Sequence, residues 1–372
     1  MTVPKEFNPT VARGVAPAGA AEARTTLSFY RYVVIDKPQA FRDALFREWS
    51  ALRVLGRIYV AREGINAQLS VPSAWLERFR NAVDAHELLK DVPFKIAVEE
   101  GAISFNKLTI KVRPKLVADG LADDAFDATN VGEHLDADAF NRKMDAGAMV
   151  IDMRNNYECM IGHFEGAYLP KADTFRAAID EVVGMLGEKK TEEQEPEILL
   201  YCTGGIRCEK ASAYLRHHGF TNVGQLHGGI IDYARQVKAS GMASKYKGQN
   251  FVFDGRMTER ITDDVVSACM QCGVPSDRIA NCAQHTCNML LVQCEACAAR
   301  YADCCSPSCR EIHQLPEDIK RAWCKGKASA SSKSKAISDP EALRKRIAEE
   351  EALLAQNGTL YPEMMDISPN PM

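Results

Sequence analysis

The sequence predicts a multidomain α/β protein, and three observations support this class. The 372 residues correspond to two or three domains at about 100–200 residues each. Strand-like and helix-like segments alternate over most of the chain, and the composition is that of an ordinary globular protein. Thirteen cysteines are present, and ten of them fall between Cys269 and Cys324. We therefore expect an α+β domain, an α/β domain with a parallel sheet, and a Cys-rich module.

The first part of the chain predicts a ferredoxin-like α+β sandwich over residues 27–120, preceded by a flexible leader over 1–26. The expected strands cover 27–35, 57–61, 65–71, 93–98 and 107–113, and the expected helices cover 38–49 and 73–83. Each helix carries a single apolar stripe, and the strands alternate apolar and polar residues. The order β-α-β-β-α-β fits a sandwich with both helices on one side of the sheet.

The net charge of −4 does not by itself indicate nucleic-acid binding, but the charge is distributed unevenly along the chain. Residues 1–120 carry a net charge of +5, whereas 121–260 carry −6 and 261–372 carry −3. In the last strand the cations alternate with apolar residues, which predicts one packed face and one open, basic face. The alternative is the solvated polar face of an ordinary sheet. The candidate nucleic-acid-binding residues are Arg57, Arg62, Lys107, Lys111, Arg113 and Lys115.

A linker is expected over 121–136, followed by a parallel α/β domain over 137–240. The expected strands cover 149–152, 198–201 and 222–226, and the expected helices cover 137–144, 174–186, 209–218 and 230–237. This alternation predicts a small parallel sheet with ligands beyond the carboxyl ends of its strands. Asp152 and Arg154 are expected to hold the domain together, with Glu158 as the partner of Arg154.

The strand that ends at Tyr201 runs into a loop that carries the candidate chemistry. This active-site loop reads Cys202, Thr203, Gly204, Gly205, Ile206 and Arg207. A thiol at a helix N-terminus beside Arg207 has a lowered pKa. The Cys-x4-Arg spacing makes a smaller cradle than the Cys-x5-Arg of phosphatase loops, and this cradle suits a persulfide, a sulfur oxyanion or a planar edge better than a phosphoryl transition state. We expect Cys202 to be the catalytic thiol and Cys208 to be a candidate resolving thiol; the alternative is a buried cysteine in a tight turn.

The Cys-rich module is expected over 241–324, with one strand at 251–253. Residues 325–372 are expected to form a flexible tract and a C-terminal helix that begins near Asp339. The chain lacks a secretory signal, so we expect a cytoplasmic protein whose cysteines bind metal rather than form disulfides. Cys-x2-Cys pairs supply four-thiolate zinc sites, although the sequence leaves the pairing open and packed reduced thiols are the alternative. The candidate zinc ligands are Cys269, Cys272, Cys282, Cys287, Cys294, Cys297, Cys304, Cys305 and Cys309.

Three motifs resemble the signatures of rhodanese domains. They are Asp152-Met153-Arg154 with the segment 162–167, the loop from Cys202 to Arg207, and the segment 226–230. The wider chain, over residues 27 to 315, resembles the bacterial tRNA uridine(34) hydroxylases of the TrhO type. The features that carry this resemblance are the segments 62–67 and 111–115, the loop that begins at Cys202, and the Cys-rich tail.

This resemblance implies oxygen-dependent hydroxylation of the wobble uridine of tRNA to 5-hydroxyuridine. It implies molecular oxygen as co-substrate, tRNA as partner, and Cys202 as the essential thiol, described in the family as a persulfide. No nucleotide-cofactor motif is found, no membrane span is expected, and no protein partner is inferred. The alternatives are a thiosulfate sulfurtransferase or persulfide sulfur carrier, and a non-enzymatic binding module. Intact Cys202 and Arg207 argue against the module, and the basic first domain favours the hydroxylase over the sulfurtransferase.

Overall fold

The structure is a computed structural model that describes residues 22–98, 104–121, 125–172, 174–189, 195–325 and 339–361. It divides into two compact units, Met1–Val117 with Phe253–Arg256, and Ala118–Val252 with Met257–Met372. Most of the predicted leader and nearly all of the predicted flexible tract, residues 326–338, lie outside the described residues. Within the described ranges, no helix combines the length and the apolar character that a membrane span requires.

The first unit is a five-stranded sheet with two helices on one face. Its elements are β1 (Arg24–Tyr32), α1 (Pro38–Ala51), β2 (Leu55–Ala61), β3 (Gly64–Pro72), α2 (Leu76–Asp84), β4 (Lys95–Ile96) and β5 (Leu108–Val112). The strand order is β4-β1-β3-β2-β5, and only β5 pairs in parallel, with β2. The first four strands with α1 and α2 confirm the ferredoxin-like sandwich, and β5 extends it by one strand.

The strands alternate between a buried face and a polar face, and the buried face meets the helices. Phe29 and Ile58 on the sheet join Trp49 of α1 and Phe79 of α2 in one apolar core, each at most 1% exposed. The predicted strand over 27–35 was misplaced, because β1 begins at Arg24, inside the predicted leader. The strand predicted over 93–98 is reduced to β4, and the helix predicted from Ser73 begins with a 3-10 turn.

The second unit contains the expected parallel sheet. Its first elements are β6 (Glu133–Leu135), α3 (Ala137–Asp145), β7 (Met149–Asp152), α4 (Asn156–Cys159), β8 (Gly162–Phe164), α5 (Phe175–Lys189), β9 (Ile198–Tyr201), α6 (Ile206–His217), β10 (Val223–Leu226) and α7 (Gly229–Ser240). The strand order is β6-β10-β9-β7, and every neighbouring pair is parallel. The predicted α/β domain is therefore confirmed, with β9 in the interior of its sheet.

The linker prediction over 121–136 was wrong at its C-terminal end, where β6 forms an edge strand. Glu133 and His134 of this strand are exposed, so its polar sequence hid it from a pattern-based prediction. Just upstream of the predicted linker, the buried Asp119 carboxylate accepts a hydrogen bond from Nζ of Lys210 in α6 at 2.5 Å. This buried ion pair fastens the chain to α6 before the sheet begins.

The remaining elements form the Cys-rich region and the C-terminal helix. They are β11 (Tyr246–Phe251), β12 (Thr258–Arg260), β13 (Ile279–Asn281), β14 (Leu290–Val292), α8 (Glu295–Tyr301), α9 (Pro307–His313), α10 (Glu317–Cys324) and α11 (Pro340–Asn357). The strand predicted at 251–253 was misplaced, since β11 lies earlier and pairs with both β8 and β12. Asp339 caps α11, as its Asp-Pro-Glu start predicts.

Candidate active site

Cys202 lies immediately after β9, where the chain turns into α6. The backbone N–H of Gly205 donates a hydrogen bond to Sγ of Cys202 at 3.1 Å. Gly205 adopts φ 97°, a left-handed conformation that glycine reaches without steric cost. The cysteine is fully buried, and its sulfur lies within the turn rather than on the surface. The local sequence thus builds the cradle around the thiol that the Gly-Gly pair predicts.

The electrostatic surroundings of Cys202 favour its thiolate. Burial alone raises the pKa of a thiol, because a charged sulfur loses its hydration. The Cys208 thiol, the charge of Arg207 and the backbone N–H groups of Arg207 and Cys208 outweigh burial, and they lower the pKa of Cys202 to about 6. Burial and the neighbouring Cys202 sulfur raise the pKa of Cys208 well above its ordinary value. At neutral pH the pair is therefore one thiolate and one thiol.

Alkylation of Cys202 is expected to follow this lowered pKa. Iodoacetamide reacts with the thiolate only, so the labelling rate should rise with pH to a midpoint of about 6, against ~8.5 for an ordinary thiol. Quantification of the Cys202 peptide by mass spectrometry gives the profile. The Cys208→Ala variant is the matched comparison, because it removes the hydrogen-bond donor and should move the midpoint upward. A wild-type midpoint above about 8 would contradict the assignment of a stabilised thiolate.

Arg207 is held by a bidentate ion pair with Glu158. Its Nη1 and Nη2 atoms donate to Oε1 and Oε2 of Glu158 at 2.6 and 2.8 Å, and both side chains are buried. Burial would lower the pKa of Arg207, but the Glu158 carboxylate more than offsets this and raises it. Thr203 donates to the same carboxylate at 3.3 Å. Glu158 also accepts from the Asn155 backbone N–H at 2.9 Å and so caps α4.

The expectation that Glu158 pairs with Arg154 was wrong. Arg154 instead donates to the Asp152 carboxylate at 2.6 Å and to the Gly162 carbonyl at 2.6 Å, with the Tyr246 hydroxyl at 3.3 Å. All of the guanidinium is buried, and these contacts join β7, β8 and β11. This arrangement supports the structural role expected for Asp152 and Arg154.

The N-terminus of α7 holds the loop from the opposite side. The backbone N–H of Ile230 donates to the Cys202 carbonyl at 3.0 Å. Gly229 lies so close that a Cβ atom there would be 2.5 Å from the Cys202 carbonyl oxygen. Any larger residue at Gly229 would therefore displace the loop, which explains the glycine at this position.

The predicted cations of the first unit lie along β2 and β5. Arg57 and Lys111 are exposed on neighbouring strands, and Arg113 follows β5 with its guanidinium 5.3 Å from the Tyr59 ring centre. Lys107 and Arg62 are exposed at the ends of the two strands, whereas Lys115 is half-buried. Val112, expected on the packed face, is 38% exposed. The apolar face of β5 therefore ends at Ile110.

The cysteines of the tail separate into two groups of four. One group contains Cys269, Cys272, Cys294 and Cys297, and the other contains Cys282, Cys287, Cys305 and Cys309. Cys304, predicted as a ligand, belongs to neither group. This partition depends on the fold and could not be read from the spacing.

The comparisons with known proteins agree with this architecture. The UPF0176 acylphosphatase-like domain model matches residues 24–116, the rhodanese-like domain model matches 136–236, and the rhodanese C-terminal model matches 247–310. The fold and the loop thus define a rhodanese-domain protein with an acylphosphatase-like first domain.

Curated relatives give the particular family. A protein of Leptospira interrogans named tRNA uridine(34) hydroxylase is 52% identical, over 84% of this chain and 85% of its own length. Proteins of the same name from Cronobacter sakazakii and Yersinia enterocolitica are 50% and 49% identical, each over 81% of this chain and 85% of its own length. The chain belongs to the tRNA uridine(34) hydroxylase family.

Proposed function

We propose that this chain hydroxylates the uridine at position 34 of tRNA to 5-hydroxyuridine, with molecular oxygen as co-substrate. The observation that carries the proposal is its high identity to relatives of that name, over most of both chains. The loop around Cys202 supports it, because Arg207, Cys208 and the backbone N–H groups of the loop favour the thiolate. In this proposal the second unit carries out the chemistry as an oxidoreductase, and the first unit binds the tRNA.

The proposed role of Cys202 is that of the nucleophile. Its sulfur, as thiolate or persulfide, would add to C6 of uracil, and the electrons of the C5–C6 double bond would move toward C5 and O4. The electron-rich C5 would take up one atom of molecular oxygen, and loss of the C5 proton would then expel the sulfur from C6 and restore the C5–C6 double bond. A thiol reductant would supply the two electrons that convert the second oxygen atom to water. A uridine must leave its stack to reach a buried sulfur, as in other enzymes that act on a base. The thiolate supplies this nucleophile at neutral pH because its pKa is about 6.

Nucleoside analysis tests the proposed reaction. Deletion of the gene in its own organism, followed by digestion of total tRNA and mass spectrometry, should show loss of 5-hydroxyuridine and its derivatives. Reintroduction of the wild-type gene should restore them. Unchanged nucleosides, together with sulfur transfer from thiosulfate by the purified protein, would instead support the sulfurtransferase.

The proposed tRNA surface is the basic strip of the first unit, defined by Arg57, Lys107, Lys111 and Arg113. In the part of the chain that the structure describes, none of these four side chains forms an ion pair with a carboxylate. Arg57 and Lys111 lie on the sheet face opposite the helices, since Ile58 and Ile110 beside them are buried in the core. Tyr59 pairs with Lys111 across the strands. Cations next to an aromatic ring suit phosphates and unstacked bases.

Charge reversal on the basic strip should weaken tRNA binding. The Lys111→Glu, Arg113→Glu variant loses two phosphate contacts, so the log–log dependence of affinity on salt should flatten by about 1.5. Fluorescence anisotropy at several salt concentrations measures both quantities. The matched control is Arg47→Glu with Arg78→Glu, which reverses two exposed cations on the helices at the other face. If both variants weakened tRNA binding equally, the basic strip would not be the tRNA-binding surface.

A further inference from the structure

The Cys-rich region holds eight thiols in two compact sets that the proposed hydroxylation does not use. Within each set of four, the Sγ atoms all lie within 4.8 Å of one another. The Sγ atoms of Cys272 and Cys294 are 3.6 Å apart, and Sγ of Cys305 lies 3.7 Å from Sγ of both Cys287 and Cys309. All eight cysteines are free, and these separations are far beyond a disulfide bond, about 2.05 Å. Four thiolates around one zinc ion, at about 2.3 Å each, lie about 3.8 Å apart.

The two sets interleave along the chain. The first Cys-x2-Cys pair combines with the third pair, Cys294 and Cys297, whereas the second pair, Cys282 and Cys287, combines with the fourth. The hairpin of β13 and β14 produces this crossing. Cys282 follows β13 directly, and Cys294 follows β14 two residues later, on the partner strand. Each set therefore joins two pairs that are distant in sequence: Cys272 and Cys294 are 22 positions apart, and Cys287 and Cys305 are 18 positions apart.

The local backbone presents the thiols of the first set as a metal knuckle does. The Gly273 N–H donates to the Cys269 carbonyl at 2.8 Å, and Gly273 adopts φ 83°. The N–H of Cys269 itself donates to the Val274 carbonyl at 2.8 Å. Cys294 occupies the residue just before α8, and Cys297 lies in the first turn of this helix. In the first set, a tight turn brings one pair of thiols together and the start of a helix brings the other pair together.

The surroundings of the sets offset the negative charge that four thiolates and one divalent ion carry. The Cys305 backbone N–H donates to Sγ of Cys282 at 3.3 Å. Nη2 of Arg346, in α11, lies 3.8 Å from Sγ of Cys305. Nη1 of Arg344, in the same helix, donates to the Met270 carbonyl within the first knuckle at 3.5 Å. The C-terminal helix thus presents one cation to each set.

We propose that this module binds two zinc ions in interleaved four-thiolate sites. Cys269, Cys272, Cys294 and Cys297 hold one ion, and Cys282, Cys287, Cys305 and Cys309 hold the other. Cys304 is buried beside them but is not a ligand. Because each ion joins distant segments, the module gains most of its stability from the metal, as small zinc modules do. This inference is independent of the proposed hydroxylation.

Metal analysis of the full chain, purified without chelator, tests the inference. We expect two zinc ions per chain, and titration with a mercurial should release both once the eight thiols of the two sets are consumed, whereas the other five of the thirteen cysteines release none. The Cys272→Ser variant should lose one ion, Cys287→Ser should lose the other, and both should unfold at lower temperature. Cys304→Ser is the matched control and should keep both ions.

Several outcomes would overturn the inference. Fewer than one zinc per chain in the wild-type protein would contradict the two sites. Iron in place of zinc would contradict the assignment of the metal. Equal loss of metal in Cys304→Ser and Cys272→Ser would contradict the ligand assignment. The thiol titration uses the wild-type chain, so the inference stays testable even if a ligand variant fails to fold.

Discussion

Replacement of Cys202 by serine is expected to abolish hydroxylation and to leave the fold intact. A serine hydroxyl has no anionic form near neutral pH, so the variant loses the nucleophile that the cradle stabilises. In a strain that lacks the chromosomal gene, Cys202→Ser should give no more 5-hydroxyuridine than an empty vector. The buried sulfur and oxygen differ little in size, so the unfolding temperature should remain close to that of the wild type.

Two further cysteines serve as comparisons for Cys202→Ser. Cys324→Ser changes a half-buried thiol in α10 and should restore 5-hydroxyuridine fully. Cys208→Ser keeps a hydrogen-bond donor beside Cys202, so it should retain activity if Cys208 acts only as a donor and lose it if Cys208 resolves an oxidised Cys202. A Cys202→Ser variant with substantial activity would refute the role of this thiol.

Replacement of Glu158 by glutamine should cause the second large effect. Arg207 would then keep its charge in a buried site without a counterion, and breaking such a pair costs about 3–5 kcal/mol. The guanidinium would also lose the bidentate contact that fixes its position beside Cys202. We expect a lower free energy of unfolding in urea and a large loss of hydroxylation.

Glu165→Gln is the matched control for the Glu158 variant. Glu165 is exposed, seven positions further along the chain, and its neutralisation should change neither stability nor activity. Arg207→Lys separates charge from geometry, because lysine keeps the charge but cannot form the bidentate pair. Wild-type stability in Glu158→Gln would contradict the view that this ion pair holds the active-site loop.

The regular elements of the second unit could be predicted well, because buried parallel strands are continuous apolar runs. Met149–Asp152 and Ile198–Tyr201 match the predicted strands exactly in their bounds. β6 could not be found in this way, since an edge strand with Glu133 and His134 exposed has no apolar run. The opposite error occurs at β4. An apolar run predicted a strand over 93–98, but only Lys95–Ile96 pairs with a neighbouring strand.

The candidate site was predictable where its parts are adjacent in sequence. Cys202, Gly205 and Arg207 share one turn, so the turn itself indicated a stabilised thiolate. The partner of Arg207 was not predictable, because Glu158 is 49 positions away and lies closer in sequence to Arg154. The partition of the cysteines into two sets was left open for the same reason. Long-range pairs depend on how strands cross, which local spacing does not encode.

The most direct test of the central claim is to map the new oxygen atom on tRNA. A strain without the gene, complemented with this chain and grown under isotopically heavy oxygen gas, provides tRNA for digestion into anticodon fragments. We expect one heavy oxygen atom on the uridine at position 34, and none with Cys202→Ser. Unmodified position 34 in the complemented strain, or oxygen derived from water, would contradict an oxygen-dependent hydroxylation by this chain.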